Sequence, residues 1–287
     1  MHDPLYGGPG ETMKVEFWGT RGSIATPGPT TVRYGGNTPC VSATLRDGSL
    51  LILDAGTGIR RLGNLLLRRQ PVSAHLLLSH CHWDHIQGFP FFAPAYLPGT
   101  QLTIHGYAAA RQKIRKTMTD QMEGAYFPVD FPALKASIEF VDVVEEPLVI
   151  ATARISRTET NHPGGGAGFR IQEDEHSFVY LTDNELGDGD GQRFVRFCQG
   201  ASLVIHDAQY TPEELQKHRG WGHSSYVEVL ALAREAGVRQ VALFHHDPER
   251  SDEEMDRLVA ACHAEMARQR DRFECEAATE AMAVLLE

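Results

Sequence analysis

The stretch Ala74 to Gly88, AHLLLSHCHWDHIQG, sets four ligand-type side chains, His80, His82, Asp84 and His85, within six residues. Imidazole and carboxylate donors together suit zinc, manganese or iron better than calcium or magnesium. The apolar run Leu76 to Ser79 reads as a buried strand leaving the core, and Ile86-Gln87-Gly88-Phe89 reads as a short helix after it. Residues two apart on an extended segment face the same way, so His80 and His82 can share one ion. Asp84 and His85, beyond the turn, can reach a second. Cys81 alternates with the two histidines and reads as a small core residue.

The run His-x-His-x-Asp-His resembles the signature of the metallo-β-lactamase-fold hydrolases. Three later stretches fit the same pattern: Asn161-His162-Pro163 after a strand-like run, Tyr180-Leu181-Thr182-Asp183 closing another, and Ala242-Leu243-Phe244-His245 closing a third. The resemblance, which runs from about Val15 to the C-terminus, implies two divalent ions, zinc first, with manganese or iron as alternatives. It gives His80, His82 and His162 to one ion, Asp84, His85 and His245 to the other, and makes Asp183 the bridge. It also implies a four-layer αββα sandwich with mixed sheets. An aspartate in the position of Asp54 commonly supports a ligand histidine in that family, and here a helix cap in a tight turn is the competing account. His206 and His246 are excluded as ligands, and His246 is expected to point away from the site.

Composition agrees with one co-folded unit. A chain of 287 residues, 42% of them apolar, can bury a substantial core, and no linker separates ligands spread from His80 to His245. Residues 1 to 12 read as a disordered extension and 13 to 287 as a single hydrolase domain. No apolar run approaches 18 residues, which argues against a membrane partner and for a cytoplasmic protein. Five scattered cysteines, Cys40, Cys81, Cys198, Cys262 and Cys275, form neither a disulfide framework nor a zinc-knuckle spacing. A net charge of −11 opposes tight binding to a long polyanion and leaves a small phosphate ester as the easier substrate. Homodimerisation is the family's habit.

Periodicity predicts the elements. Strands are expected at Lys14 to Trp18, Cys40 to Leu45 and Leu50 to Asp54, the last two around an Asp47-Gly48 hairpin turn, followed by a helix from Ile59 to Arg69. A long Gly/Pro/Thr-rich loop, Ala25 to Pro39, precedes the second strand. Beyond the ligand run, a short strand is expected from Gln101 to His105, a helix from Ala108 to Met122, and strands at Ile138 to Val141, Leu148 to Arg154, Gly168 to Gln172 and Ser177 to Leu181. Helices over 191–198, 212–218, 225–236 and 251–270 then alternate with strands over 203–206 and 240–244, and a strand over 281–286 closes the chain.

A second constellation, Ile205-His206-Asp207-Ala208-Gln209-Tyr210 with Gly222-His223-Ser224-Ser225, resembles a motif pair of the tRNA 3′-processing endonucleases of this fold and their phosphodiesterase relatives. There the histidine faces the scissile phosphate and the acid orients it. Asp207 stands where those enzymes carry glutamate, one methylene longer. The alternative makes Ser224 or Ser225 a helix cap and His223 a surface residue. The expected catalytic set is therefore Asp84, His223 and Asp207. Two cations sharing Asp183 would make hydroxide available near neutral pH, and His223 would protonate a departing ribose oxygen.

Arg21, Arg33, Tyr34 and Asn37 in the long first loop, and Tyr126 after the basic helix Arg111 to Lys116, are the expected substrate contacts, with ordinary loop packing as the alternative. These features rank a phosphodiesterase for a small cyclic phosphate first, supported by a Gly-Thr-Arg-Gly-Ser start like that of bacterial phosphodiesterases. A tRNA 3′-endonuclease comes second, because no protruding basic arm is legible and a nucleic-acid partner is disfavoured. A lactone or thioester hydrolase shares the metals without needing the Asp207 and His223 pair.

Overall fold

A computed structural model of the chain describes residues 12–107, 111–143, 147–187 and 191–286. Residues 1–11, nearly all of the expected extension, lie outside the described residues.

The first half lays down β1 (Met13–Gly19), β2 (Cys40–Thr44), β3 (Leu50–Leu53), α1 (Ile59–Leu66), β4 (Ser73–Leu77), α2 (Trp83–Ile86), β5 (Gln101–Tyr107), α3 (Arg111–Asp120) and β6 (Ser137–Val143). The second continues with β7 (Leu148–Ile150), β8 (Ala153–Glu159), β9 (Ala167–Glu173), β10 (His176–Leu181), α4 (Gly191–Cys198), β11 (Leu203–Asp207), α5 (Pro212–Lys217) and α6 (Tyr226–Ala236). It closes with β12 (Gln240–Phe244), α7 (Asp252–Gln269), β13 (Glu274–Ala277) and β14 (Ala283–Leu286).

Strand composition explains the layering. In β3, Leu51 and Leu53 enter an apolar cluster with Val41, Phe17, Phe178, Tyr180 and Phe244, while Leu50 and Ile52 enter a different one with Ile59 and Leu62 of α1. A strand apolar on both faces needs cover on both. The first cluster lies between two sheets, the second under α1 and α3, and a third, with Val179, Val241, Phe194 and Leu230, under α4, α6 and α7. The result is a helix, sheet, sheet, helix sandwich.

Each described sheet has seven strands, ordered β14-β1-β2-β3-β4-β5-β6 and β13-β12-β11-β10-β9-β8-β7. Strands β3 to β6 and β10 to β13 run parallel within their sheets, and the other pairs are antiparallel. Parallel strands place their carboxyl ends together, which is where open α/β sheets hold ligands. The two sheets are tied at that end: Gly22 N donates to His246 O and His246 N to Thr20 O, so the first loop crosses to the end of β12.

Three elements differ from the sequence reading. The short helix expected over Ile86 to Phe89 starts earlier, as α2 (Trp83–Ile86), so that Asp84 and His85 lie on it. The strand expected over Leu148 to Arg154 is a hairpin, β7 and β8, turning at Ala151 with φ 51°. Neither Ala151 nor Thr152 is a customary turn residue, so periodicity ran through the bend. Strand β13 was not anticipated, because Glu274 and Glu276 face solvent while only Cys275 and Ala277 are buried.

Candidate metal centre

The strand ends deliver the polar cluster. Beyond β4 the chain presents His80 and His82, and α2 then turns Asp84 and His85 inward, both buried. His162 comes from the β8 to β9 connection, Asp183 follows β10, and His245 follows β12. Two groups of four result, His80, His82, His162 and Asp183 in one, and Asp84, His85, Asp183 and His245 in the other.

Asp183 belongs to both groups through different oxygens. Its Oδ2 lies 3.6 Å from Nε2 of His80 and 3.6 Å from Nε2 of His162, while its Oδ1 lies 3.2 Å from Nε2 of His85 and 3.3 Å from Nε2 of His245. Asp84 Oδ2 sits 3.3 Å from His85 Nε2 and 3.2 Å from His245 Nε2, and His82 Nδ1 is 3.0 Å from His162 Nε2. Donors about 2.1 Å from one tetrahedral ion stand ~3.4 Å apart, so these separations are those of ligands around two ions.

Two of the inward-facing atoms lack a hydrogen-bond partner. Nε2 of His80 and of His85 are buried with no hydrogen bond in the protein. An unpaired polar atom in a core is costly, and a cation relieves it. The opposite nitrogens are engaged: His80 Nδ1 with Ser79 Oγ, His85 Nδ1 with Asp54 Oδ2 at 2.7 Å, His162 Nδ1 with Gly222 O, and His245 Nδ1 with Gln209 Oε1. Such contacts fix each ring and its tautomer with the inner nitrogen available.

Asp54 is the floor of this arrangement. Wholly buried, it accepts from His85 Nδ1, Ser79 N and Oγ, and the Tyr180 hydroxyl at 2.8 Å. Burial works against the charge of Asp84 and Asp183, yet His85 and His245 beside them hold both carboxyls well below the usual range. Burial likewise works against protonating His85, and Asp84, Asp183 and Asp54 push its pKa up. The cluster attracts positive charge, which fits two divalent ions. Three of its members, Asp54, Asp183 and His245, hold positive φ of 61°, 48° and 57°, as does Ser23 at 61°, whose N–H donates to Asp84 Oδ2. Left-handed backbone at non-glycine residues is sustained only where the surroundings over-determine it.

Asp207 and His223 meet beside both groups. His223 Nδ1 donates to Asp207 Oδ2 at 2.5 Å, and the ring centroid lies 5.0 Å from His245 and 5.3 Å from His162. Burial opposes the imidazolium, but the charge and hydrogen bond of Asp207 outweigh it and push the pKa up to about 9. Asp207 Oδ1 accepts from Gln209 N. Ser225 does cap α6, in a capping box with Glu228, yet His223 is buried rather than on the surface. His246 turns away, Nε2 donating to Ala278 O, and His206 Nδ1 donates to Asp207 O.

A family model for the beta-lactamase superfamily domain matches residues 50–246. The chain belongs to the beta-lactamase superfamily. It is a metal-dependent hydrolase of that superfamily. Similar curated proteins include the ribonuclease Z of Haloferax volcanii, 27% identical over 82% of this chain and 84% of that protein, and that of Haloarcula marismortui, 24% identical over 82% and 86%. An uncharacterised protein of Mycobacterium bovis is 26% identical over 71% of this chain and 72% of its own length. Among solved structures, the metallo-beta-lactamase fold protein YhfI of Bacillus subtilis matches with a TM-score of 0.71 at 20% identity over 96% of this chain and all of that one. A diphosphatase of the PhnP family matches at 0.64 with 17% identity over 96% and 100%. These likenesses carry the fold.

Within this superfamily member, four of the five expected substrate contacts have other work. The Arg21 guanidinium is buried and donates to the carbonyls of Gly35, Asp247 and Arg250, so it pins the first loop and does not face a substrate. Arg33 forms a two-point pair with Asp256 of α7, and the Tyr34 hydroxyl donates to the same carboxylate. Asn37 donates to Glu280 through N and Nδ2. Tyr126 is open, 72% exposed. Sequence reasoning passed over Ser79, Tyr180 and Gln209, and over Asn184, whose Oδ1 accepts from Asn161 N and whose O accepts from Ser224 Oγ, tying the His162 and His223 loops together. Only adjacency to the ligand run, to Asp183 and to Asp207 could have flagged them. The basic side chains of 111 and 113 lie outside the described residues, and among the described helices none is long and apolar enough to cross a membrane.

Proposed function

We propose that the chain is a dinuclear phosphodiesterase that hydrolyses a small phosphodiester, a cyclic nucleotide or another cyclic phosphate, with zinc as the first candidate for its two ions. The observation that carries this reading is His223, held at 2.5 Å by Asp207 and packed against one histidine from each ligand group. Ions bound in the two groups supply an activated water and offset the charge on the phosphoryl oxygens. The chain supplies the rest. Asp54, Ser79, Gln209 and Gly222 O hold the ligand rings in place, which fixes where the phosphorus must sit. As the new O–P bond forms and the ester P–O bond breaks, the departing alkoxide takes the proton from Nε2 of His223, the nitrogen that Asp207 leaves available. Such acid catalysis is worth about 10² to 10⁴ in rate. Asp84 serves as ligand and, through Ser23 N, fixes the loop beside the site. Five scattered cysteines without a disulfide-framework spacing suit a reducing, cytoplasmic setting.

The ribonuclease Z relatives favour a second reading, 3′ cleavage of precursor tRNA. The net charge of −11 weighs against it, since affinity for RNA rests on phosphate neutralisation. Zinc- or manganese-loaded protein assayed on cyclic nucleotides, bis(p-nitrophenyl) phosphate, a precursor tRNA and a lactone panel separates the readings. Turnover of a cyclic nucleotide is expected. Specific 3′ cleavage of the tRNA at low enzyme concentration would replace it with the endonuclease.

A further inference from the structure

Helix α2 has two faces. Asp84 and His85 turn inward to the ligand cluster, whereas Trp83 and Gln87, one turn apart, face outward. Trp83 interrupts the ligand run itself, between His82 and Asp84, and is 70% exposed. Gln87 helps line a cavity of about 440 Å³ together with Trp83, Phe91, Gln121, Tyr126 and Phe127. That volume is within the range of small-molecule sites. Phe91 and Phe127 meet edge to face at 5.4 Å, and Phe91, Trp83 and Tyr126 leave large parts of their rings uncovered.

We infer that this cavity binds the planar heterocyclic base of the substrate, so that the enzyme selects phosphodiesters carrying a nucleobase; the inference rests on the phosphodiesterase reading above. Three observations converge. Trp83 lines the cavity and stands between His82 and Asp84 in the ligand run, which puts the cavity wall next to the cluster. The walls are aromatic rings, which stack any base through its π face. Gln87, Gln121, Thr117 and Asp120 also line it, and polar side chains of these kinds suit the ring nitrogens and exocyclic groups of a base better than an acyl chain. Gln87 is anchored from behind by its Nε2 contact with Thr38 Oγ1 at 3.4 Å, which couples the cavity wall to the Asp54 turn through Thr38 and Thr57.

The test compares the metal-loaded full chain on adenosine 3′,5′-cyclic phosphate and on trimethylene phosphate, a six-membered cyclic diester with no base. Tyr126→Ala is expected to raise KM for the nucleotide about tenfold with kcat within about twofold, to leave KM for the base-free diester unchanged, and to keep both ions. Tyr126→Phe, which keeps the ring, is expected to restore KM. Equal changes on both substrates, no change on either, or a change of oligomeric state at unchanged KM, which would make the patch an interface with a second copy, overturns the inference. If wild type turns over neither diester, the phosphodiesterase reading has failed separately, and the cavity is read by equilibrium binding. Adenosine 5′-monophosphate is then expected to quench Trp83 fluorescence in a Trp221→Phe background, with the quench lost on adding Tyr126→Ala. A quench indifferent to Tyr126, or none, overturns the cavity assignment.

Discussion

The ligand cluster and the first loop lie side by side, joined by the Ser23 N–H to Asp84, yet they use polar residues in opposite ways. In the cluster, His80 and His85 each spend Nδ1 on the protein and keep a buried Nε2 without a hydrogen bond. In the loop, Arg21, Arg33, Tyr34 and Asn37 spend their polar atoms on Gly35, Asp247, Arg250, Asp256 and Glu280. Here His80 and His85 are set apart by the nitrogen each leaves unsatisfied, and the loop residues by the partners they already have.

The sharpest way to break that contrast is Asp183→Ala. Removing the one carboxylate shared by both groups is expected to lower metal content from two ions to one or none and activity by more than about 10³-fold, measured by elemental analysis and steady-state kinetics. Retention of two ions would mean that the groups do not need a bridge.

Next in size is His223→Ala. It should keep both ions, since it stands outside either group of four, and should lower kcat by about 10² to 10⁴ on cyclic nucleotides. A nitrophenolate leaves without a proton, so the loss on bis(p-nitrophenyl) phosphate should be far smaller. Equal losses on both would make His223 a phosphate contact instead of the acid.

Asp54→Asn probes the layer beneath. It keeps the shape but alters the acceptor for His85, Ser79 and Tyr180, and competition with a chelator should show metal affinity weakened about 10- to 100-fold. Unchanged affinity would reduce Asp54 to a turn residue.

The smallest kinetic effect is expected in the loop. Arg21→Met, which strips the donors from one buried and two half-buried carbonyls, should destabilise the protein by about 3 kcal/mol in denaturant while the metal-loaded enzyme keeps its KM. Arg33→Ala should likewise leave KM unmoved. A KM rise in either at constant stability would return the loop to the binding surface.

This contrast also explains what could be read in the chain beforehand. His80, His82, Asp84 and His85 are legible because metal chemistry admits few residue types and a short spacing, and the strand ends before Asp183 and His245 are legible because Val, Leu and Phe runs there are buried on both faces. Arg33 and Asn37 are not, because their partners Asp256 and Glu280 lie more than two hundred residues away and an arginine in a loop gives no sign of which carboxylate it will meet. The β7 to β8 turn at Ala151 and the half-polar β13 escaped for a related reason: backbone pairing decided them, not a local pattern.

One feature of the sandwich bears on how the protein matures. Each group of four draws on both sheets, His80 and His82 from the end of β4 with His162 and Asp183 from the other sheet, and Asp84 and His85 with Asp183 and His245. Neither pocket can close until contacts spanning up to 161 positions of chain have formed, so the ions act as rivets set last rather than as nuclei around which folding starts. Fragments ending before Asp183 would hold scattered imidazoles and no complete pocket, and metal uptake would report the completion of the whole fold.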